Sequence, residues 1–183
     1  MVLGLVTIII LAIVAIIVIM LISFYNRFVN LGNRIDNSLA QIDVQLKKRA
    51  DLVPNLIETV KGYAKHESGI MKEVSEARKA LVGASSLPAK IKAGDVLQNA
   101  IGRLFAIAEN YPQLKANENF LQLQQELAAI EDKVAYARQF YNDNILDFNN
   151  STKTFPGNVF ASIFHVKERP FLQIKASERE VVK

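Results

Sequence analysis

The side chains able to carry catalysis or hold a metal are few, and their spacing serves neither purpose. His66 is followed by Glu67, the opening of the zinc-hydrolase pattern HExxH, but Ile70 occupies the place of the second histidine. A carboxylate-bridged di-iron bundle needs Glu-x-x-His pairs aimed inward, and the residues three before His66 and His165 are Tyr63 and Ser162. No cysteine is present, which removes thiolate ligands, a thiol nucleophile, disulfides and lipid attachment through sulfur. There is no glycine-rich phosphate loop and no G-x-S-x-G turn. Glu73 with Glu76, and Glu131 with Asp132, are carboxylate pairs of the kind a solvated helix face carries. No catalytic, cofactor-binding or metal-binding residue is assigned, and a non-enzymatic protein is expected.

Two polar residues lie on otherwise apolar stripes. Arg49 stands where an apolar residue would continue its helix face, with Ala50 beside it to share the position. A buried arginine needs a carboxylate partner; the simpler reading packs its stem and lets its head reach water. Tyr141 sits inside a second stripe.

That second stripe organises the chain. From Asn119 to Asn150 the apolar residues Phe120, Leu123, Leu127, Ile130, Val134, Ala137, Tyr141, Ile145 and Phe148 recur in steps of three or four, the mark of one helix with one buried face. Glu126, Glu131, Asp132, Lys133 and Arg138 fall between them and are expected to face water. Such a helix is roughly 45 to 50 Å long and needs partners of similar length. Asn119 with Gln122 reads as its capping box.

The partners come from the rest of the chain. Val2 to Phe24 is an uncharged apolar run, longer than the ~20 residues that cross a hydrocarbon core. It lacks the positive n-region and cleavage site of a signal peptide, so a retained anchor is expected over residues 1–26. Arg27, Arg34, Lys47, Lys48 and Arg49 follow it, which places the body in the cytoplasm and the amino terminus outside the cell membrane. Gly32 with Asn33 suggests a short flexible neck. A stripe then runs through Ile35, Leu39, Ile42, Leu46, Val53, Leu56, Val60 and Tyr63, with Pro54 expected to kink it and Asp51 to cap the restarted helix. A turn at Lys65 to Gly69 leads to Ile70, Val74, Ala77 and Leu81. The stretch Gly83 to Gly94, GASSLPAKIKAG, reads as an exposed loop. Asp95 would cap a shorter helix with Leu97, Ile101, Leu104, Phe105 and Ala108, ended by Pro112. After Asn150 a short helix is expected whose Val159, Phe160, Ile163 and Phe164 tuck against one end of the bundle, and residues 173–183 read as a frayed tail.

The 183 residues therefore suit one domain plus appendages, all-α: a transmembrane helix over 1–26 and a helical body over 27–172. A formal charge of +4 is a weak argument for nucleic acid, and none is expected as a partner.

The segments QIDVQLKKRADLVPNLIETVKGYAKHE (Gln41 to Glu67), LFAIAENYPQLKANENFLQLQQEL (Leu104 to Leu127), EDKVAYARQFYND (Glu131 to Asp143) and FPGNVFA (Phe155 to Ala161), in that order, resemble the LemA family. Leu39 stands where many relatives carry an aromatic residue, and Phe148 where the family often has tyrosine. The resemblance implies a single-pass membrane protein whose cytoplasmic part is an antiparallel, up-and-down four-helix bundle with long helices. It carries over no catalytic set. It points to membrane proteases, or to membrane shaping, as settings for a partner. The leading expectation is a membrane-tethered scaffold that presents a face to another membrane protein. The rivals are a module acting on anionic lipid at the membrane surface and an enzyme or metal site in the bundle core.

Overall fold

The computed structural model describes residues 2–172, so the tail expected at 173–183 lies outside the described residues. The protein is all-helical, with no strand among the described residues: α1 (Val2–Tyr63), α2 (Ser68–Gly83), α3 (Leu87–Ala108), α4 (Pro112–Lys115), α5 (Glu118–Lys153) and α6 (Gly157–Ile163). The chain divides into two compact units, residues 1–38 with 140–183, and residues 39–139.

Several local expectations are corrected. The neck at Gly32 and Asn33 is absent, because α1 is continuous through both. One helical glycine costs only about 1 kcal/mol, and Phe28, Leu31 and Ile35 are buried along the same face and hold the helix. Asp51 caps no restarted helix, since α1 also runs through Pro54. The loop expected over Gly83 to Gly94 shrinks to residues 84–86. Ser86 is extended, Pro88 lies in the first turn of α3 where a missing N–H is harmless, and the Lys90 amide donates to the Ser86 carbonyl at 2.9 Å. Asp95 therefore lies inside α3. Asn119 does not cap α5: Asn117 does, its Oδ1 accepting from the Phe120 amide at 3.0 Å. The turn expected near Ser68 is present, between Tyr63 and Ser68.

In the unit of residues 39–139 the core is built from stripes. Ile42, Leu46, Val53, Leu56 and Val60 of α1 are buried, as are Ile70, Val74, Ala77 and Leu81 of α2, and Leu97, Ile101 and Leu104 of α3. Tyr63 is exposed and Ala64 closes that stripe in its place. All nine stripe residues of α5 from Phe120 to Phe148 are buried, shared between the two units. Each large apolar side chain so buried contributes about 1.5–3 kcal/mol. Gly94 sits where a Cβ would stand 2.7 Å from Leu46 Cδ2, so its lack of a side chain lets α3 approach α1.

In the other unit, the end of the apolar run meets α6. Phe24 stacks on Phe160 at 4.7 Å between ring centroids, and Phe164 sets its edge against Tyr25 and Phe28. Phe160 and Ala161 are buried there, whereas Val159 and Ile163, expected to be tucked in, are exposed. The reason is angular: on a helix containing Gly157, Phe160 and Ala161 on its inner face, positions 159 and 163 fall on the opposite side. His165 adopts φ 53° and closes α6 with two bonds, His165 N–H to the Ser162 carbonyl and Val166 N–H to the Ala161 carbonyl. This is a Schellman end with histidine in the usual glycine position, and Val166 supplies its apolar contact to the Phe160 cluster.

Candidate functional site

Arg49 is the largest fully buried side chain of the unit formed by residues 39–139, about 1% exposed. Its head does not reach water. Nη2 is paired with the Glu131 carboxylate of α5, and Nη1 donates to the Gly94 carbonyl of α3 at 3.3 Å. One residue on, Asp95 accepts from Arg138 Nη2 at 2.8 Å. Glu131 and Arg138, both expected to face water, are thus drawn into a polar layer joining α1, α3 and α5. Burial pushes the Arg49 guanidinium below its ordinary value, and the adjacent Glu131 carboxylate opposes that push.

A second polar bond repairs α1 itself. Pro54 has no N–H to give the carbonyl of Ala50 four residues earlier, and Arg78 Nε of α2 donates to that oxygen at 2.7 Å. Arg78 and Ala50 also line a cleft with Leu46, Leu81, Lys47 and Lys90. Lys90 Nζ closes one side on Asp43 at 2.7 Å.

Tyr141 belongs to the other unit. It is buried, which raises its phenol above the ordinary value while Arg169 works against that rise. Beside it, α5 carries Asn142 and Asn149, seven residues apart. Asn149 accepts from the Arg169 amide and donates to the Arg169 carbonyl, both at 2.9 Å. Asn142 does the same for Leu172, at 2.9 and 3.1 Å. Each side-chain amide pairs with backbone as a neighbouring strand would, and so holds the extended segment after α6 along α5. Arg169 adds an ion pair with Asp36 at 3.1 Å and lies over the Phe148 ring.

Arg49 and Tyr141 stand out in the sequence as polar residues on apolar stripes, although the simpler reading sends the Arg49 head to water; Glu131, Arg138, Arg78, Asn142 and Asn149 do not stand out. The signals are weak: Asn142 and Asn149 at a seven-residue interval in a helix that holds five asparagines, and charged residues flanking Val134. His66 and His165 are both exposed, in separate units. Among the described residues no group of three or more His, Asp or Glu is placed to hold a metal ion.

Comparison with known proteins gives the context for these features. The chain is 26% identical to magnetosome protein MamQ 2 of Paramagnetospirillum magneticum, the match covering 82% of this chain and 65% of the relative. It is 24% identical, with the same coverage, to magnetosome protein MamQ of Magnetospirillum gryphiswaldense. It is 25% identical to protein LemA of Metamycoplasma hominis, over 84% of this chain and 71% of that protein. The chain thus spans about 65% of the length of the MamQ relatives. The model of the LemA family matches residues 38–183, a stretch containing Arg49, Glu131, Asn142 and Asn149, and the chain belongs to the LemA family.

Proposed function

We propose that this protein is a membrane-tethered, non-enzymatic scaffold: a single span at the start of α1 anchors an antiparallel four-helix bundle that presents a face to another membrane protein. The observation that carries this reading is α1 itself. Its uncharged residues from Val2 to Ile19 are all exposed, and the same helix continues into the buried stripe of Ile42, Leu46, Val53 and Leu56. Residues such as Ile8, Leu11 and Ile19, more than 60% exposed, need a solvent other than water. The bundle reading is supported by pairs that reverse in order along the helices. Asp95 with Arg138 and Phe105 with Phe120 make α3 and α5 antiparallel, and Arg103 with Glu73 joins α3 to α2. Charges inside this unit are spent on one another, as Arg49 with Glu131, which fits a structural body. The relatives are named for the magnetosome and for the family, and none is named for a reaction.

Tethering raises the effective concentration of the body toward other proteins of the same membrane, so weak contacts suffice. We place the body in the cytoplasm, from Arg27 and Arg34 just after the apolar run. Photocrosslinking from the exposed Tyr136 position in native membranes tests the proposal. The expected result is one or a few reproducible membrane-protein adducts that are lost when the same body is released from its span. Turnover of a small substrate by the purified protein would overturn it.

A second reading, a module for anionic lipid at the membrane surface, is favoured by one feature: Ser23, Asn26, Arg27, Asn30 and Arg34 line a polar cleft next to the end of the apolar run, where the two arginines outnumber the one carboxylate, Asp147. Binding to anionic vesicles that vanishes at high salt tests it.

A further inference from the structure

We propose that α6 and the turn before it form a second lipid contact, a short foot that dips its apolar outer edge into the same leaflet from which α1 emerges; the inference rests on the reading of α1 as a membrane span. The level of α6 is set by its packing. Phe160 stacks on Phe24, and the cluster of Phe28, Phe160 and Ala161 is covered by Met20, Leu21 and Phe164. Met20 to Phe28 is where α1 passes from the uncharged run to its first charge, Arg27. At that level one face of α1 is already polar, through Ser23, Asn26 and Arg27, while the face with Phe24 and Phe28 is apolar and is the one α6 covers. An element docked there stands at the boundary between headgroups and acyl chains.

The outer side of this element is divided. Phe155 is 83% exposed, Val159 48% and Ile163 55%, spaced four residues apart, while Asn158 and Ser162 form the neighbouring polar edge. Spacing of four puts Val159 and Ile163 on one line along α6. On the face of α1 that α6 covers, the next residues toward the amino terminus, Ile17 and Ile13, fall in line with Phe24 and are about half exposed. One side apolar and one side polar, lying at an interface, is the pattern of an interfacial helix. Here it is too short to bind alone and is instead held in place by the aromatic stack on α1. The occupant of the apolar edge is lipid acyl chain, and the foot limits how far α1 slides or tilts in the bilayer.

The chain contains no tryptophan, so single substitutions report their own surroundings. The full chain in phospholipid vesicles, with and without acyl-brominated lipid, would carry Val159→Trp, Ile163→Trp, the polar-edge control Asn158→Trp, or the anchor control Ile10→Trp. Circular dichroism of each variant establishes that it is folded. The expected result is blue-shifted emission that loses most of its intensity to brominated lipid for Val159→Trp, Ile163→Trp and Ile10→Trp, with Asn158→Trp quenched by aqueous iodide instead. If Ile10→Trp is quenched by brominated lipid but the two α6 probes are quenched by iodide, the foot is wrong and the anchor stands. If Ile10→Trp itself escapes brominated lipid, the span reading fails and the inference falls with it.

Discussion

A buried arginine is stable only as well as its partners allow, and the pair Arg49 and Glu131 is unequal. The Arg49 side chain is about 1% exposed and that of Glu131 about 40%. Removing the arginine leaves a carboxylate that water can still solvate, whereas removing the carboxylate strands a cation in the core. We expect Glu131→Ala to cost about 3 kcal/mol and Arg49→Met about 1 kcal/mol, measured by denaturant unfolding; equal costs would mean that the guanidinium is hydrated after all. Arg78 allows a sharper test. Arg78→Met should cost about 1–2 kcal/mol because the Ala50 carbonyl loses its donor, and much of that loss should disappear in a Pro54→Ala background, where residue 54 regains the N–H that reaches Ala50. Additive effects in this double-mutant cycle would show that Arg78 acts elsewhere. At this scale the sequence was half legible. Arg49 declared itself by interrupting a stripe, but its carboxylate lay 82 residues away among others that do face water. Only the angle at which α5 meets α1 selects Glu131, and residue spacing on one helix does not encode that angle.

At the scale of elements, periodicity carried most of the information. The stripe of α5 is buried at every position expected of it, so Leu127→Asp should cost several kcal/mol, a large part of a small domain's stability of ~5 to 15 kcal/mol. Glu126→Ala, one residue away and exposed, should shift the melting midpoint very little. Similar shifts for the two would put the wrong face inward. The misreadings came from residues judged alone. Gly32 suggests a flexible neck, Pro54 a kink and Pro88 a loop, yet the first two lie inside one continuous helix and the third inside the opening turn of another. A local penalty of about 1 kcal/mol for glycine is outweighed by long-range burial, and the proline at 54 is tolerated because another helix brings Arg78 to the freed carbonyl. Gly94 shows the reverse case: in the sequence it reads as the end of a loop, and in the fold it is a contact point that a Cβ would fill.

In the whole molecule one helix, α1, runs from an exposed apolar segment into residues that are buried against other helices. Because Phe24 and Phe28 pack on Phe160, and Met20 and Leu21 cover the same cluster, a soluble form should keep residues from Met20 onward. The most direct measurement is flotation from phospholipid vesicles after an alkaline carbonate wash, comparing the full chain with one lacking residues 2–19. The full chain should float with the vesicles, and the shortened chain should stay in the aqueous load while retaining its helical circular dichroism and a cooperative melt. A full chain stripped from the vesicles by carbonate, or a shortened chain that will not leave them, would contradict the assignment of α1 as the anchor.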